Sequence, residues 1–415
     1  MKKKESTIKP TSVQDHQHPT PSDRPDPVPF RRVIPSILFL TSIFFFNFIS
    51  RIIWAPLMPA IEGDLGIGHG EAGSFFLLIS LGYFVTLLGS GFLSSRVTHQ
   101  KTIALSSALL GFTLLGVSLS PSLWSVRVGL VVLGLVAGFY IPSGIATLTA
   151  MVPSRHWGKA VAIHELAPNG GLLLAPLLSE ALMGLVSWRG ILALLGIAAL
   201  VLGFAYARFG RHGNFPGEAP SLGSFRVLLR HSSFWIMMVL FGLGVGASMG
   251  IYAMLPLYLV VEAGMERGWA NLLVSLSRIS GLGMAFVSGW ATDRFGPKQT
   301  MIIIYFLTGS TTLLLGAVQG SWLILMVLLQ PLLAACFFPP GFAALSLTSA
   351  PSVRNVAVSL TVPFSFLLGG GAIPTLIGVA AEAGSFSLGI ILVGGLIMGG
   401  SLLSARLKLL GKATG

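Results

Sequence analysis

Long apolar stretches constrain this 415-residue chain more than any other feature. A run of about 18 or more apolar residues reads as a bilayer-crossing helix, since the hydrocarbon layer is about 30 Å thick and each helical residue adds about 1.5 Å. Twelve such runs can be read, at about 33–60, 71–93, 102–120, 123–151, 160–183, 190–208, 233–261, 269–291, 299–318, 321–349, 356–380 and 386–405. Charged residues make up 10% of the chain, against about 25% in soluble domains. That is too little polar surface to cover a water-soluble globule, so an all-α integral membrane protein is expected. The 51 glycines and 24 prolines fit, because membrane helices tolerate both and small residues allow close helix packing. The net charge of +12 does not point to nucleic acid, since the basic residues lie mostly in the breaks and tails. The lone cysteine, Cys336, excludes an internal disulfide and reads as a packing residue.

Residues 1–30 are polar and proline-rich and predict a disordered tail rather than a signal peptide. The longest break, 211–231, carries Arg211, Arg226 and Arg230 and divides a first six-helix bundle (31–210) from a second (232–408), followed by a short tail (409–415). With the N-terminus in the cytoplasm, the cytoplasmic segments hold 21 of the 26 lysines and arginines, whereas the external loops hold only Arg189 and Arg267. This asymmetry predicts an even number of spans with both termini cytoplasmic. The halves also repeat. Gly91 and Gly289, Pro142 and Pro340, Pro153 and Pro351, and Pro176 and Pro374 are each 198 residues apart. Proline has positional meaning in a helix, so this offset predicts two pseudo-symmetric bundles of twelve helices in all, with a site near the midplane between them.

The break after the eighth run reads GWATDRFGPK, from Gly289 to Lys298. It resembles the signature loop of the major facilitator superfamily. Asp293 can cap or pair at a helix end, Gly296 permits a tight turn, and Arg294 and Lys298 suit the cytoplasmic surface. The corresponding first-half segment, GFLSSRVTHQK from Gly91 to Lys101, keeps Arg96 but carries Ser95 in place of the family's aspartate and Thr98 in place of its second glycine. Aligned on Gly134 and Gly138, the family's fourth-helix arginine falls at Leu130. Trp188 and Arg189 before the sixth run fit the pattern, and Gly171 to Pro176 is loosely similar to its Gly-Pro motif. The resemblance covers the chain beyond the tail. It implies a secondary transporter whose halves rock about gating loops that here comprise Gly289, Asp293, Arg294, Gly296, Lys298 and Arg96.

The candidate site residues are polar groups inside the apolar runs. Arg51 lies in NFISRIIWAPLMP (Asn47 to Pro59), similar to the first helix of anion-handling facilitators, whose arginine meets substrate. An arginine at mid-membrane costs about 2.5–3.5 kcal/mol on insertion scales, so it normally faces a cavity or a partner. The alternative is that Arg51 snorkels outward or pairs with Glu62 or Asp64. Arg278 lies near the middle of the eighth run and resembles the helix-8 arginine of oxalate and monocarboxylate transporters. The latter have an acid four residues earlier, where Val274 stands here. Its alternative role is a structural hydrogen-bond hub. Glu165 is the only acid read within a span. As a buried carboxylate helped by His164, it is the candidate proton carrier, unless it pairs with Arg155 or Lys159. Asn47, Tyr140 and Asn169 complete the candidate substrate set. Arg127 is read as structural, and Tyr252, Tyr258 and Gln330 as polar handles that individually favour packing.

No P-loop, nucleophilic serine motif, paired-cysteine metal site or H-E-x-x-H occurs, and no polar segment is long enough for an enzyme domain. The expectation is therefore no enzyme and no cofactor. The chain reads as a multi-pass plasma-membrane transporter for a small organic anion, a carboxylate in the first instance, with protons as the candidate coupling ion. A proton-driven drug or metabolite exporter of the same fold is the alternative, and a receptor that lost turnover is a third reading.

Overall fold

The structure is a computed structural model, described here for residues 29–217, 231–348 and 354–409. Most of the expected N-terminal tail (1–30), the end of the C-terminal tail, and Arg226 and Arg230 of the central segment lie outside the described residues. In hydrocarbon no water can bond exposed backbone groups, so apolar runs satisfy their own N–H and C=O groups as helices. Thirteen helices are described: α1 (Phe30–Leu65), α2 (His69–Arg96), α3 (His99–Ser118), α4 (Leu123–Met151), α5 (Ser154–Met183), α6 (Trp188–Phe209), α7 (Ser232–Val261), α8 (Arg267–Ser277), α9 (Gly281–Phe295), α10 (Pro297–Ala317), α11 (Ser321–Thr348), α12 (Val356–Glu382) and α13 (Phe386–Ala405). Eleven of them are long and apolar enough to cross a membrane. The exceptions are α8 and α9, and here the sequence expectation needs correction. The eighth run, expected as one span over 269–291, is broken at Arg278–Ser280. The cause is local. The Ser277 and Ser280 hydroxyls donate to carbonyls three residues back, and the Arg278 and Ile279 amides also bond three residues back, competing with the regular ladder.

Two helix pairs form the outer scaffold, α3 with α6 in the first half and α10 with α13 in the second. All four run without interruption. Their contact is made by glycines. A methyl group on Gly111 would fall 2.5 Å from the Gly196 carbonyl oxygen, and one on Gly394 would fall 2.6 Å from the Leu313 amide. Gly309 is pressed in the same way against Met398. Gly111 and Gly309 are 198 residues apart, as are Gly196 and Gly394, so the repeat offset extends to the packing glycines.

Discontinuities fall instead on the inner helices. They occur at Ile53 in α1, Phe139 in α4, Glu165 in α5 and Cys336–Phe337 in α11, and as widened π turns at Gly246–Gly250 in α7 and Phe366–Ala372 in α12. Irregular backbone is tolerated at membrane depth only where protein or a cavity covers it. The halves meet through α2 against α12 and α5 against α8, which are the second and fifth spans of each repeat exchanged, together with the ends of α1 and α7.

A test of this packing lies in α4. A methyl group on Gly134 would fall 2.0 Å from the Ile79 carbonyl oxygen of α2, whereas one on Gly395 would meet nothing within 4 Å. Gly134→Ala is expected to cost about 1–3 kcal/mol, the range for overpacking, and Gly395→Ala close to nothing. Thermal unfolding of the two purified variants in detergent checks this.

Candidate functional site

Arg51 lies two residues before the break in α1 and is only 8% exposed. Its guanidinium sits over the ring of Tyr83 from α2 at 4.2 Å, with Phe48 at 5.2 Å and Phe366 of α12 at 5.7 Å. Cation–π contact of a desolvated guanidinium is worth about 2 kcal/mol, which offsets much of the insertion cost. The charge itself has no counter-ion among the described residues. The acids expected as alternative partners are engaged elsewhere: Glu62 lies 2.9 Å from the His69 imidazole, and Asp64 accepts from Trp188 at 3.1 Å and pairs with Arg189. The Arg51 Nε is buried without a hydrogen-bond partner.

A narrow cavity of about 40 Å³ opens beside this group, between the halves. Phe48, Arg51, Phe76 and Ser80 line it from the first half, and Met249, Tyr252 and Phe366 from the second. Its volume is far below that of small-molecule sites, about 300–1,000 Å³, and suits a small polar group rather than a whole metabolite. The Tyr252 hydroxyl is buried and unpartnered. Behind Tyr252 stands Arg278, its guanidinium 4.7 Å from the ring centroid. Arg278 donates to the Ser248 carbonyl in the π turn of α7 at 3.3 Å, and its Nε and one terminal nitrogen are buried without partners. The arginines thus approach from opposite halves as expected, but only Arg51 lines the cavity, and Tyr252 stands between it and Arg278.

The other candidates separate. Asn47 is not on the cavity wall; its amide donates to the Ala137 carbonyl at 3.1 Å and ties α1 to α4. Tyr140 is also away from the cavity, stacked with Phe44 and donating to the Leu40 carbonyl at 2.8 Å. A carbonyl only accepts, so the His164 Nε2, 3.0 Å from the Tyr140 hydroxyl, carries a proton and donates to it. That leaves the buried His164 Nδ1 unpartnered. Glu165 and His164, read together as the proton-coupling pair, make no hydrogen bond to one another among the described residues. The Glu165 side chain is accessible, and it makes no ion pair with Arg155 or Lys159. Asn169 is also exposed, and its amide donates to the Glu165 carbonyl at 2.8 Å.

At the expected gating loop, Gly296 has φ +82° between α9 and α10, a conformation that favours glycine, and Lys298 donates to the Leu407 carbonyl at 3.0 Å. Gly289 lies within α9 with open space around it. Asp293 and Arg294 are exposed, and Asp293 has no ion-pair partner among the described residues. Arg96 ends α2, exposed, and Thr98 caps α3 by accepting from the Lys101 amide at 3.3 Å. Arg127 pairs with Glu71, in line with a structural role. Of the polar handles, Gln330 donates to the Ala247 carbonyl at 2.8 Å and Tyr258 to that of Leu315 at 3.2 Å.

Among the described residues, the polar contacts joining the halves cluster at the end bearing the α5–α6 and α7–α8 connections. Arg267 forms a two-pronged pair with Glu180 at 3.0 and 3.1 Å, and Asn271 joins at 3.2 Å. Glu382 accepts from the Gly70 amide at 2.8 Å, Ser275 donates to the Leu173 carbonyl at 2.6 Å, and Thr375 to that of Gly73 at 3.2 Å. That end is closed. Sequence reasoning missed Tyr83, Ser80 and Phe366. Tyr83 carried a usable signal, a phenol inside an apolar run, but its contact with Arg51 is tertiary.

Two bundles of membrane-spanning helices around a cavity between them are the architecture of a membrane transporter. The chain belongs to the Major Facilitator Superfamily, whose family model matches residues 40–290. It is 24% identical over 356 residues to Transcription regulatory protein OpdE of Pseudomonas aeruginosa, covering 82% of this chain and 83% of that one. It is 28% identical over 182 residues to Probable sulfoacetate transporter SauU of Cupriavidus necator, 43% of this chain and 42% of that one. Among solved structures, it shares its fold with a bacterial homologue of the human lysosomal transporter Spinster, in an inward-facing and occupied conformation. The TM-score is 0.77 at 13% identity, covering 91% of this chain and 97% of that one.

The closed end generates a prediction. The Glu180–Arg267 pair is partly exposed, and pairs of that kind contribute about 0.2–1 kcal/mol. In a Cys336→Ala, Ser275→Cys background, Glu180→Gln should raise the rate of maleimide labelling at position 275 by up to about fivefold. An unchanged rate would mean that the pair does not hold this end shut.

Proposed function

We propose that the chain is a plasma-membrane secondary transporter for a small organic anion, a carboxylate, and that Arg51 binds its charged group. Twelve spans with both termini cytoplasmic complete this reading, with α8 and α9 together as the eighth. In this orientation the closed end is external, and the cavity opens to the cytoplasm. Residues 31–210 and 232–408 would rock against one another.

The observation that carries the proposal is the Arg51 guanidinium, buried at the seam with an unpartnered donor and no acid on the cavity wall. An anion there supplies both the missing counter-charge and the missing acceptor. The Tyr252 hydroxyl is a second donor. A carboxylate head suits the narrow cavity, with the ligand body extending toward the open end past Phe48 and Phe366. The relative named for sulfoacetate, itself an anion, supports the class. A cation exporter is disfavoured, because no acid lines the cavity among the described residues. Arg278 tunes the site through Tyr252, and Glu165, with Asn169 beside it on the open face, is the proton carrier. His164 is then a structural partner of Tyr140. A regulatory protein that binds without transporting is the second reading, favoured by the relative named as a transcription regulatory protein and by Ser95 and Thr98 in the first-half loop.

Proteoliposome counterflow with a panel of small carboxylates, sulfonates and lipophilic cations tests the reading. One anion class should exchange in the wild type, and Arg51→Ala should weaken it roughly 30-fold or more, the cost of removing one partner of a buried charge pair. Arg278→Ala should cost less. Exchange of cations alone would overturn the proposal, and anion binding without counterflow would favour the regulatory reading. In the same vesicles, Glu165→Gln should abolish accumulation driven by a pH gradient while sparing counterflow. Retained accumulation would remove Glu165 from the coupling path.

A further inference from the structure

Away from the seam, a second cavity of about 320 Å³ lies between the start of α1 and the ends of α4 and α6. Its size falls in the range of small-molecule sites, about 300–1,000 Å³. The lining is of two kinds. Arg32, Arg211, His212 and Ser36 supply polar groups, while Phe39, Met151 and Phe209 supply an apolar wall. Arg31 and Arg208 lie beside it in sequence, and none of the four arginines makes an ion pair among the described residues. Burial and the neighbouring Arg211 hold His212 below the usual imidazole range, so at neutral pH it is an uncharged hydrogen-bonding group.

The segment that carries Arg211 and His212 is pinned rather than loose. Gln100 of α3 donates its side-chain amide to the Gly210 carbonyl at 2.7 Å and its backbone amide to the Gly213 carbonyl at 2.8 Å. The His99 amide donates to the Phe215 carbonyl at 3.2 Å, and the Tyr206 hydroxyl to that of His212 at 3.4 Å. A preformed basic rim is therefore held directly above an apolar wall at the boundary of the membrane spans. Phe209 is 66% exposed at that boundary.

We propose that this cavity binds the phosphate headgroup of an anionic phospholipid, with Arg32 and Arg211 meeting the phosphate and Phe39, Met151 and Phe209 meeting the start of an acyl chain. Guanidinium groups match phosphate oxygens geometrically. Basic pockets between membrane helices on the cytoplasmic side suit anionic headgroups. Free phosphate shares the headgroup chemistry but uses only the rim, and the apolar wall favours the lipid.

The test is titration of the purified full-length protein in detergent with short-chain phosphatidylglycerol, with phosphatidylcholine of the same chains, and with sodium phosphate, read by thermal shift. Phosphatidylglycerol alone should stabilise the wild type. Arg32→Gln with Arg211→Gln should weaken its apparent affinity roughly 30-fold, at about 1 kcal/mol for each basic residue near the membrane surface. Arg406→Gln, in the other half, should leave it unchanged. Equal stabilisation of the double variant, equal stabilisation by phosphatidylcholine, or full reproduction of the effect by phosphate would each overturn the proposal. Both arginines are exposed. Should the double variant nonetheless fail to fold, Arg211→Gln alone should weaken phosphatidylglycerol about fivefold, and no change would count against the site.

Discussion

A backbone in hydrocarbon has no water to bond, and this constraint orders the rest of the molecule. It makes the apolar runs helical. It also restricts where a helix can be interrupted. The outer pairs α3–α6 and α10–α13 are continuous and locked by Gly111, Gly196, Gly309 and Gly394. The interruptions collect on helices that face protein or the cavity, where freed carbonyls find other donors. In α7 the Ala247 carbonyl accepts from Gln330 and the Ser248 carbonyl from Arg278. The irregular turns that shape the centre are thus affordable because regular, glycine-packed helices surround them.

The same absence of water gives Arg51 its meaning. In an aqueous cleft an unpaired guanidinium is ordinary. Beneath Tyr83, Phe48 and Phe366, with Nε unbonded, it is a standing positive charge at the joint between two bodies. Phe366 belongs to the π turn of α12, and Tyr83 to α2 opposite it. On the proposed reading, an anion drawn to Arg51 would touch the surface between the halves, and binding and movement would be coupled through one aromatic cluster rather than through a long chain of contacts.

How much of this could be read from residue order depends on the range of each interaction. The 198-residue offset at Pro142 and Pro340 announces the repeat, because proline marks position within one helix. Its extension to Gly111 and Gly309 is equally present in the letters, but it acquires meaning only when the touching helices are known. Arg51 was legible as a charge that no apolar run carries idly. Tyr83, its partner, was not, since nothing local joins residues on different helices. Arg278 was read as a charge inside the eighth run, yet the break created by Ser277 and Ser280 and the screen formed by Tyr252 lay beyond a periodicity argument. Glu165 was read as buried from its depth in the run, whereas its side chain is accessible, and periodicity along α5 does not carry that.

The most direct measurement is an electron cryomicroscopy structure of the wild-type protein with the carboxylate that best exchanges in vesicles. The account predicts density for the carboxylate within hydrogen-bond distance of the Arg51 guanidinium and beside the Tyr252 hydroxyl, with Arg51 still between the two halves. Density for the ligand elsewhere, with the Arg51 donors left as they are against Tyr83, would contradict it.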